Sequence, residues 1–381
     1  MKGLLFYDKN DIKFSNDVKE PKIKVPDELI IDIAYCGICG SDLHEYLDGP
    51  IFFKKASTGG DELSNEKLPL CLGHEFSGTV REIGAGVTTL KPGDHVVVEA
   101  GATCADRRRF PSNNPRINTA TCDACIAGRP NVCHYLNFCG LGFSDGGLSE
   151  RVVTSEKHAI PIPKSIPMDI AALIEPLSVA WHAVRLSGLR EGDSAVVLGS
   201  GPIGLATVLA LQGHKAGKIV VSEPAEVRRL QAANFGVETF NPFEYKSLQE
   251  GIDALKATAG TGGFQYSFDA SGVQASLDTS IGVLAAGGKA TNIAIWPDVN
   301  KNFKPMSVTL EEKSYCGSMC YTRLDFEQVI EAIHTGNIDM KNIAQLITGK
   351  VKLEDAVEKG FKELINNKDH NIKILITPRD I

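Results

Sequence analysis

At 381 residues, with 43% hydrophobic and 23% charged side chains, the chain is too long for one ordinary core and reads as two globular domains. A formal net charge of -7 leaves no basic stripe of the kind phosphate-backbone binding needs, which argues against a nucleic-acid partner. No run approaches eighteen apolar residues, which excludes a membrane-spanning helix, and the opening M-K-G-L-L-F-Y-D lacks a signal-peptide core, so a cytoplasmic location is expected.

From residue 3 to about 162 the pattern is short β-like runs broken by turn residues: E-L-I-I-D-I-A-Y, F-S-G-T-V-R-E-I-G, D-H-V-V-V-E and S-E-R-V-V-T. Short runs with frequent turn signals predict a sheet-rich barrel or sandwich. Two poorly patterned inserts, at roughly 46–68 and 104–121, have the length of functional lids or lobes. The basic cluster R-R-R at 107–109 is expected to be a solvated loop.

This half carries two groups of potential zinc ligands. Cys39 stands in C-G-I-C-G-S-D-L-H, and His74 and Glu75 follow in G-H-E. A thiolate, an imidazole and a carboxylate, with the fourth position left for solvent or substrate, make a catalytic zinc site. Either Glu75 or Glu175, in E-P-L-S-V, could supply the carboxylate. Cys36 is expected to be a core residue, because two cysteines three apart on leaving a strand cannot easily turn to one metal. Asp42 is placed to orient His74 as a hydrogen-bond acceptor, and Ser41 and His44 could pass a proton to bulk water.

The second group is Cys104, Cys122, Cys125 and Cys133, in which C-x2-C-x7-C gives three thiolates the tight spacing of a tetrahedral site. Seventeen residues, including P-S-N-N-P-R, separate Cys104 from Cys122. Closing a loop of that length costs little entropy, so Cys104 remains a fourth ligand. Cys139 is the alternative, while Cys71, Cys316 and Cys320 are expected to pack as small apolar residues.

The pattern changes near residue 167. M-D-I-A-A-L-I-E-P-L-S-V-A-W-H-A-V-R-L has apolar residues at helical spacing. Strand and helix then alternate through S-A-V-V-L-G, P-I-G-L-A-T-V-L-A-L-Q, K-I-V-V-S-E and V-R-R-L-Q-A-A-N-F, with further strands in F-Q-Y-S-F-D-A, K-A-T-N-I-A-I and S-Y-C-G-S-M-C. That alternation predicts a doubly wound parallel sheet. The last sixty residues return to mixed patterning, with a helix near 326–333 and a strand at N-I-K-I-L-I-T.

G-S-G-P-I-G at 199–204 sits between an apolar strand and an unbroken helix, the context a dinucleotide loop requires. Gly199 permits the turn, Gly201 lets backbone approach a pyrophosphate, and Gly204 lets the helix close on the sheet. Pro202 and Ile203 begin the helix whose N-terminus meets the negative charge. Nineteen residues after Gly204, Glu223 is placed to accept hydrogen bonds from an adenosine ribose and to repel a 2′-phosphate, which favours NAD over NADP. Arg228 and Arg229 follow closely, so the preference need not be strict.

At these residues the chain resembles the zinc-dependent medium-chain dehydrogenases. The motifs C-G-I-C-G-S-D-L-H, G-H-E-F-S-G-T-V-R-E-I-G-A-G-V, K-P-G-D-H-V and G-S-G-P-I-G fall in that family's order over essentially the whole chain. L-I-E-P-L-S-V-A-W-H-A is similar to the sorbitol, polyol and butanediol dehydrogenase branch. The resemblance implies a GroES-like β-barrel catalytic domain at 1–177 and 321–381, a Rossmann NAD-binding domain at 178–320, and a homodimer or homotetramer formed through the Rossmann sheet edge. It implies a structural zinc in the four-cysteine lobe, although the family's usual C-x2-C-x2-C-x7-C is stretched here. It also implies interconversion of a small vicinal diol and its hydroxyketone, of the 2,3-butanediol and acetoin type. Sorbitol, xylitol or L-threonine oxidation is the alternative within the class. A non-enzymatic nicotinamide-binding protein is the alternative outside it.

Overall fold

The computed structural model describes residues 1–380 apart from 54, 56, 58, 111–116, 118, 119, 261 and 297–300. Parts of both inserts, including all of P-S-N-N-P-R, therefore lie outside the described residues. The chain forms two compact units. The first is Met1–Glu175, Thr322–His334 and Ile347–Ile381; the second is Pro176–Tyr321 and Thr335–Leu346. The segment Thr335–Leu346, drawn with the barrel from sequence, thus packs with the second unit, where Ile338 and Ile343 are buried.

In the first unit the long strand Glu28–Gly37 is central. It pairs antiparallel with Glu75–Ile83, with Arg151–Ser155 and with Lys373–Thr377, and the sheet continues through His95–Val98 to Ala159–Pro161. The β-rich reading of this half therefore holds, and the C-terminal run N-I-K-I-L-I-T joins the sheet between the strand that leads to Cys39 and an end strand, Ile347–Lys352. Phe6, Ile31, Phe76, Phe143 and Ile376 share one buried core. Removing each such side chain from water contributes roughly 1.5–3 kcal/mol.

The second unit carries a six-stranded sheet, every pair parallel, in the order Glu238–Phe240, Lys218–Ser222, Ser194–Leu198, Phe264–Asp269, Leu284–Asn292 and Ser314–Gly317. Chain order reverses between Ser194–Leu198 and Phe264–Asp269, the switch point at which doubly wound sheets bind ligands. Ser194–Leu198 is buried at every position, as a central parallel strand must be, and G-S-G-P-I-G follows it directly.

Candidate active site: a metal-donor cluster and a dinucleotide loop

Cys39 ends the run that leaves strand Glu28–Gly37 and is the N-cap of helix Gly40–Asp48. Asp42, in the first turn, accepts the Cys39 amide through Oδ2 at 2.9 Å, which fixes the turn and places a carboxylate at the positive end of the helix dipole. The same helix carries Ser41 one residue in, buried, and His44 on its solvent side, 60% exposed and 3.9 Å from Asp48. Glu45, wholly buried on this helix, accepts the backbone amides of Ile51, Phe52 and Phe53 and so ties the following insert to the helix that Cys39 begins.

Glu75 opens strand Glu75–Ile83, and the preceding His74 lies against the helix start. Its Nε2 is 3.2 Å from Ser41 Oγ, and its Nδ1 faces Asp42 Oδ1 at 3.6 Å. Burial opposes a charged His74, but Asp42 and Cys39 beside it draw its pKa well above the ordinary value. Burial pushes Asp42 up to about 6.

The donor atoms of Cys39, His74 and Glu75 lie within 4.8 Å of one another. Glu175, buried in the first turn of helix Ile174–Ser187, is outside that compact set, although its charge acts on His74 and on Lys373. Cys36 is fully buried and also stands apart, its thiol pushed up by burial.

Sequence reasoning missed Lys373. This lysine is buried, and its Nζ donates to both oxygens of Glu75, at 2.7 and 2.8 Å, and to Ile38 O at 3.0 Å. A side chain on Gly37 would fall 2.3 Å from Glu75 Oε2 and 3.3 Å from the Lys373 stem, so glycine in C-G-I-C makes room for the pair.

The donor set fits zinc. Sulfur, imidazole nitrogen and carboxylate oxygen are its usual partners. Three buried carboxylates, Asp42, Glu75 and Glu175, gather here with one buried ammonium, Lys373, and a divalent cation offsets that excess. Nδ1 of His74 and Oδ1 of Asp42 are buried without hydrogen-bond partners among the described residues and face each other just beyond bonding distance, as a metal-bound imidazole and its orienting carboxylate do.

The second cysteine group also converges. The sulfurs of Cys104, Cys122, Cys125 and Cys133 lie within 4.8 Å of one another, and Cys139 is not among them. Backbone amides point at these sulfurs: Cys122 N to Cys104 Sγ, Cys104 N to Cys133 Sγ and Tyr135 N to Cys133 Sγ, each at 3.4 Å. Burial opposes ionisation of Cys122, but the amides of Cys125 and His134 bring its thiol down to about 6. Four sulfurs with amide support match a closed tetrahedral zinc site. Cys71 is buried, whereas Cys316 and Cys320 are half-buried.

In the second unit Gly199 has φ +97, and a Cβ on Gly204 would meet the Gly199 carbonyl at 2.0 Å, so the loop closes against its own helix only without side chains there. Gly201 is the N-cap of helix Pro202–Gly213, with Pro202 in its first position, and Ile203 O accepts Thr207 Oγ1. Glu223 stands at the end of the next strand, buried, and holds the loop: it accepts Ser200 N at 2.9 Å, Ser200 Oγ at 3.2 Å and Ala225 N at 2.9 Å. Arg229 turns back onto the Glu223 and Pro224 carbonyls, and Ser200 Oγ also donates to Arg228 O.

One sequence expectation holds only in part. R-R-R is not a solvated loop throughout, because Arg109 is 7% exposed and pairs inside the barrel with Glu28 at 2.9 Å and Asp145 at 3.1 Å. A buried carboxylate, Glu28, and a half-buried one, Asp145, make that inward turn favourable.

A barrel with a zinc-type donor cluster, joined in one chain to a doubly wound domain with a phosphate loop, defines a metal-dependent dehydrogenase of CH–OH groups. Residues 25–164 match the family described as alcohol dehydrogenase GroES-like domain and residues 202–335 the family described as zinc-binding dehydrogenase, and the chain belongs to this zinc-binding alcohol dehydrogenase family. It is 51% identical over its whole length to (R,R)-butanediol dehydrogenase of Saccharomyces cerevisiae, covering 99% of that protein. It is 47% identical to a probable (R)-acetoin-forming diacetyl reductase of the same yeast, covering 91% of it. The crystal structure of 2R,3R-butanediol dehydrogenase from Bacillus subtilis superposes with a TM-score of 0.86 at 31% identity, over 99% of both chains.

Proposed function

We propose that this enzyme interconverts a small vicinal diol and its hydroxyketone, of the 2,3-butanediol and acetoin type, with NAD. The observation that carries the substrate class is the full-length 51% identity to a butanediol dehydrogenase, joined to the cluster of Cys39, His74 and nearby carboxylates. The reading of NAD over NADP rests on Glu223, a buried carboxylate where a 2′-phosphate would bring like charge.

Cys39 and His74 would hold the catalytic zinc. Lys373 engages both oxygens of Glu75, so donation by Glu75 would strand a buried ammonium beside a dication; we assign the third ligand to Glu175. Zinc bound there supplies Lewis acidity that lowers the pKa of an alcohol oxygen, and the nicotinamide supplies the hydride acceptor. Asp42 keeps the His74 proton on Nδ1 and leaves Nε2 as donor. Ser41 Oγ would accept the substrate hydroxyl proton as it gives up its own, and the exposed imidazole of His44 would release a proton to solvent. Cys104, Cys122, Cys125 and Cys133 would hold the structural zinc.

The outer strand Ser314–Gly317 leaves Tyr315 exposed, with Met306 and Leu310 exposed just before it, an edge suited to a second copy of the chain. No described helix is long and apolar enough to cross a membrane, in keeping with a cytoplasmic enzyme. A panel of vicinal diols, polyols, threonine and the matching ketones, assayed with NAD and NADP alongside metal analysis, tests the proposal. It fails if a polyol or threonine is oxidised with higher kcat/KM than 2,3-butanediol.

A further inference from the structure

The arginine cluster at 107–109 has no part in the dehydrogenase chemistry, yet it borders a cleft in the barrel unit with a volume of about 340 Å³. The cleft is bounded by residues 105–109, by Thr121 and by the end of strand Arg151–Ser155 with Lys157 beyond it. Its lining holds three arginines and Lys157 against two carboxylates, Asp27 and Asp106.

Several of these charges are already committed. Arg109 pairs with Glu28 and Asp145 inside the barrel. Asp106 is buried and meets His158 Nε2 at 2.9 Å and Lys157 Nζ at 2.6 Å. Arg107 is half-buried and gives one N–H to the Cys104 carbonyl at 3.0 Å, which fixes its guanidinium while leaving other donors on the fork. Arg108 is exposed at the rim, as is Asp27.

A second observation is independent of this charge. Ser155 lines the same cleft, is 2% exposed, and its hydroxyl has no hydrogen-bond partner among the described residues. A buried hydroxyl left without a partner costs about 1–3 kcal/mol, a cost that an acceptor entering the cleft would remove.

We propose that this cleft binds a small phosphate-bearing anion, with Arg107 and Arg108 as guanidinium donors, Lys157 as a supporting charge and Ser155 Oγ as a donor on the cleft wall. Phosphate is matched better than a single carboxylate. It carries a charge of about −1.5 to −2 at neutral pH and presents several acceptor oxygens, which suits planar forks from two arginines. The space exceeds one phosphoryl group, so a phosphate monoester with a small organic body fits it. The cleft lies between the residues just after Cys104 and the one just before Cys122, so a bound anion would tie together the two ends of the stretched spacing in the cysteine lobe.

The test is isothermal titration calorimetry of the holoenzyme, saturated with coenzyme so that the dinucleotide site is filled, in low-chloride buffer. Inorganic phosphate, glycerol 3-phosphate and AMP are titrated separately. The site predicts one binding event per chain for at least one of them. Arg108→Gln and Ser155→Ala should each weaken it by about tenfold, the scale of one lost charge-assisted or buried hydrogen bond, with kcat and KM for the diol unchanged. Binding of inorganic phosphate as tight as that of the esters supports the site and identifies free phosphate as its source. Tighter binding of an ester supports it and identifies a phosphorylated metabolite. Absence of binding up to about 10 mM, or equal affinity in wild type and both variants, overturns the proposal.

Discussion

Lys373 and Glu75 lie 298 residues apart in sequence and form a bidentate ion pair withdrawn from solvent, beside the cysteine and histidine that would hold the catalytic metal. Removing one partner of such a pair strands a charge. Lys373→Met is expected to destabilise the fold by about 3–5 kcal/mol, whereas Lys373→Met with Glu75→Gln should recover most of that loss. Urea denaturation of both variants checks this, and equal destabilisation of the two would contradict it.

Cys39→Ser replaces the thiolate donor with a weaker one. Turnover is expected to fall by about a thousandfold or more, the scale of several kcal/mol of Lewis-acid stabilisation. NADH affinity, read by fluorescence, should be nearly unchanged because Gly199, Gly201 and Gly204 remain intact. A variant that keeps most of its kcat would show that Cys39 holds no catalytic metal.

Glu223→Ser tests two roles at once, since the carboxylate holds Ser200 in the phosphate loop and, on the proposed reading, would exclude a 2′-phosphate. KM for NAD should rise about tenfold or more, and the ratio of kcat/KM for NADP to that for NAD should increase. An unchanged KM for NAD would remove Glu223 from the coenzyme site.

Cys125→Ser should cost one zinc per chain by metal analysis and lower Tm, with kcat retained at moderate temperature, because the lobe is closed and has no open position for substrate. Loss of activity with full zinc retention would reverse that assignment.

His158 gives the fold a pH dependence. Burial opposes its charge, but Asp106 and Glu99 on its two ring nitrogens, with Lys157 nearby on Asp106, leave its pKa raised above the usual value. A raised folded-state pKa contributes stability that is complete below about 6.5 and fades as pH rises through the folded value. Wild type should therefore lose stability above about pH 6.5 relative to His158→Gln, measured by denaturation at successive pH values. Parallel curves for the two proteins would refute it.

Much of the site was legible because its chemistry is local in sequence. Cys39, Ser41, Asp42 and His44 share one helix start, three of the lobe cysteines lie within a dozen residues, and the glycine loop is contiguous with its strand and helix. What could not be read depends on contacts made far along the chain. Nothing near N-I-K-I-L-I-T signals that Lys373 reaches Glu75, and so the choice between Glu75 and Glu175 stayed open. Glu45 was invisible because its partners are backbone amides, which any sequence supplies. Arg109 was misjudged because its environment is set by Glu28 and Asp145, distant acids that only folding brings around it. Helix Met340–Gln345 shares the local pattern of its neighbours, and only tertiary packing assigns it to the second unit.

The central claim is most directly tested by stripping the purified enzyme of metal, confirming the loss by metal analysis, and following NADH formation from 2,3-butanediol before and after zinc is returned. Activity should disappear with the ion and come back in proportion to the zinc rebound at Cys39 and His74. Undiminished oxidation of the diol by fully metal-free protein would contradict the account.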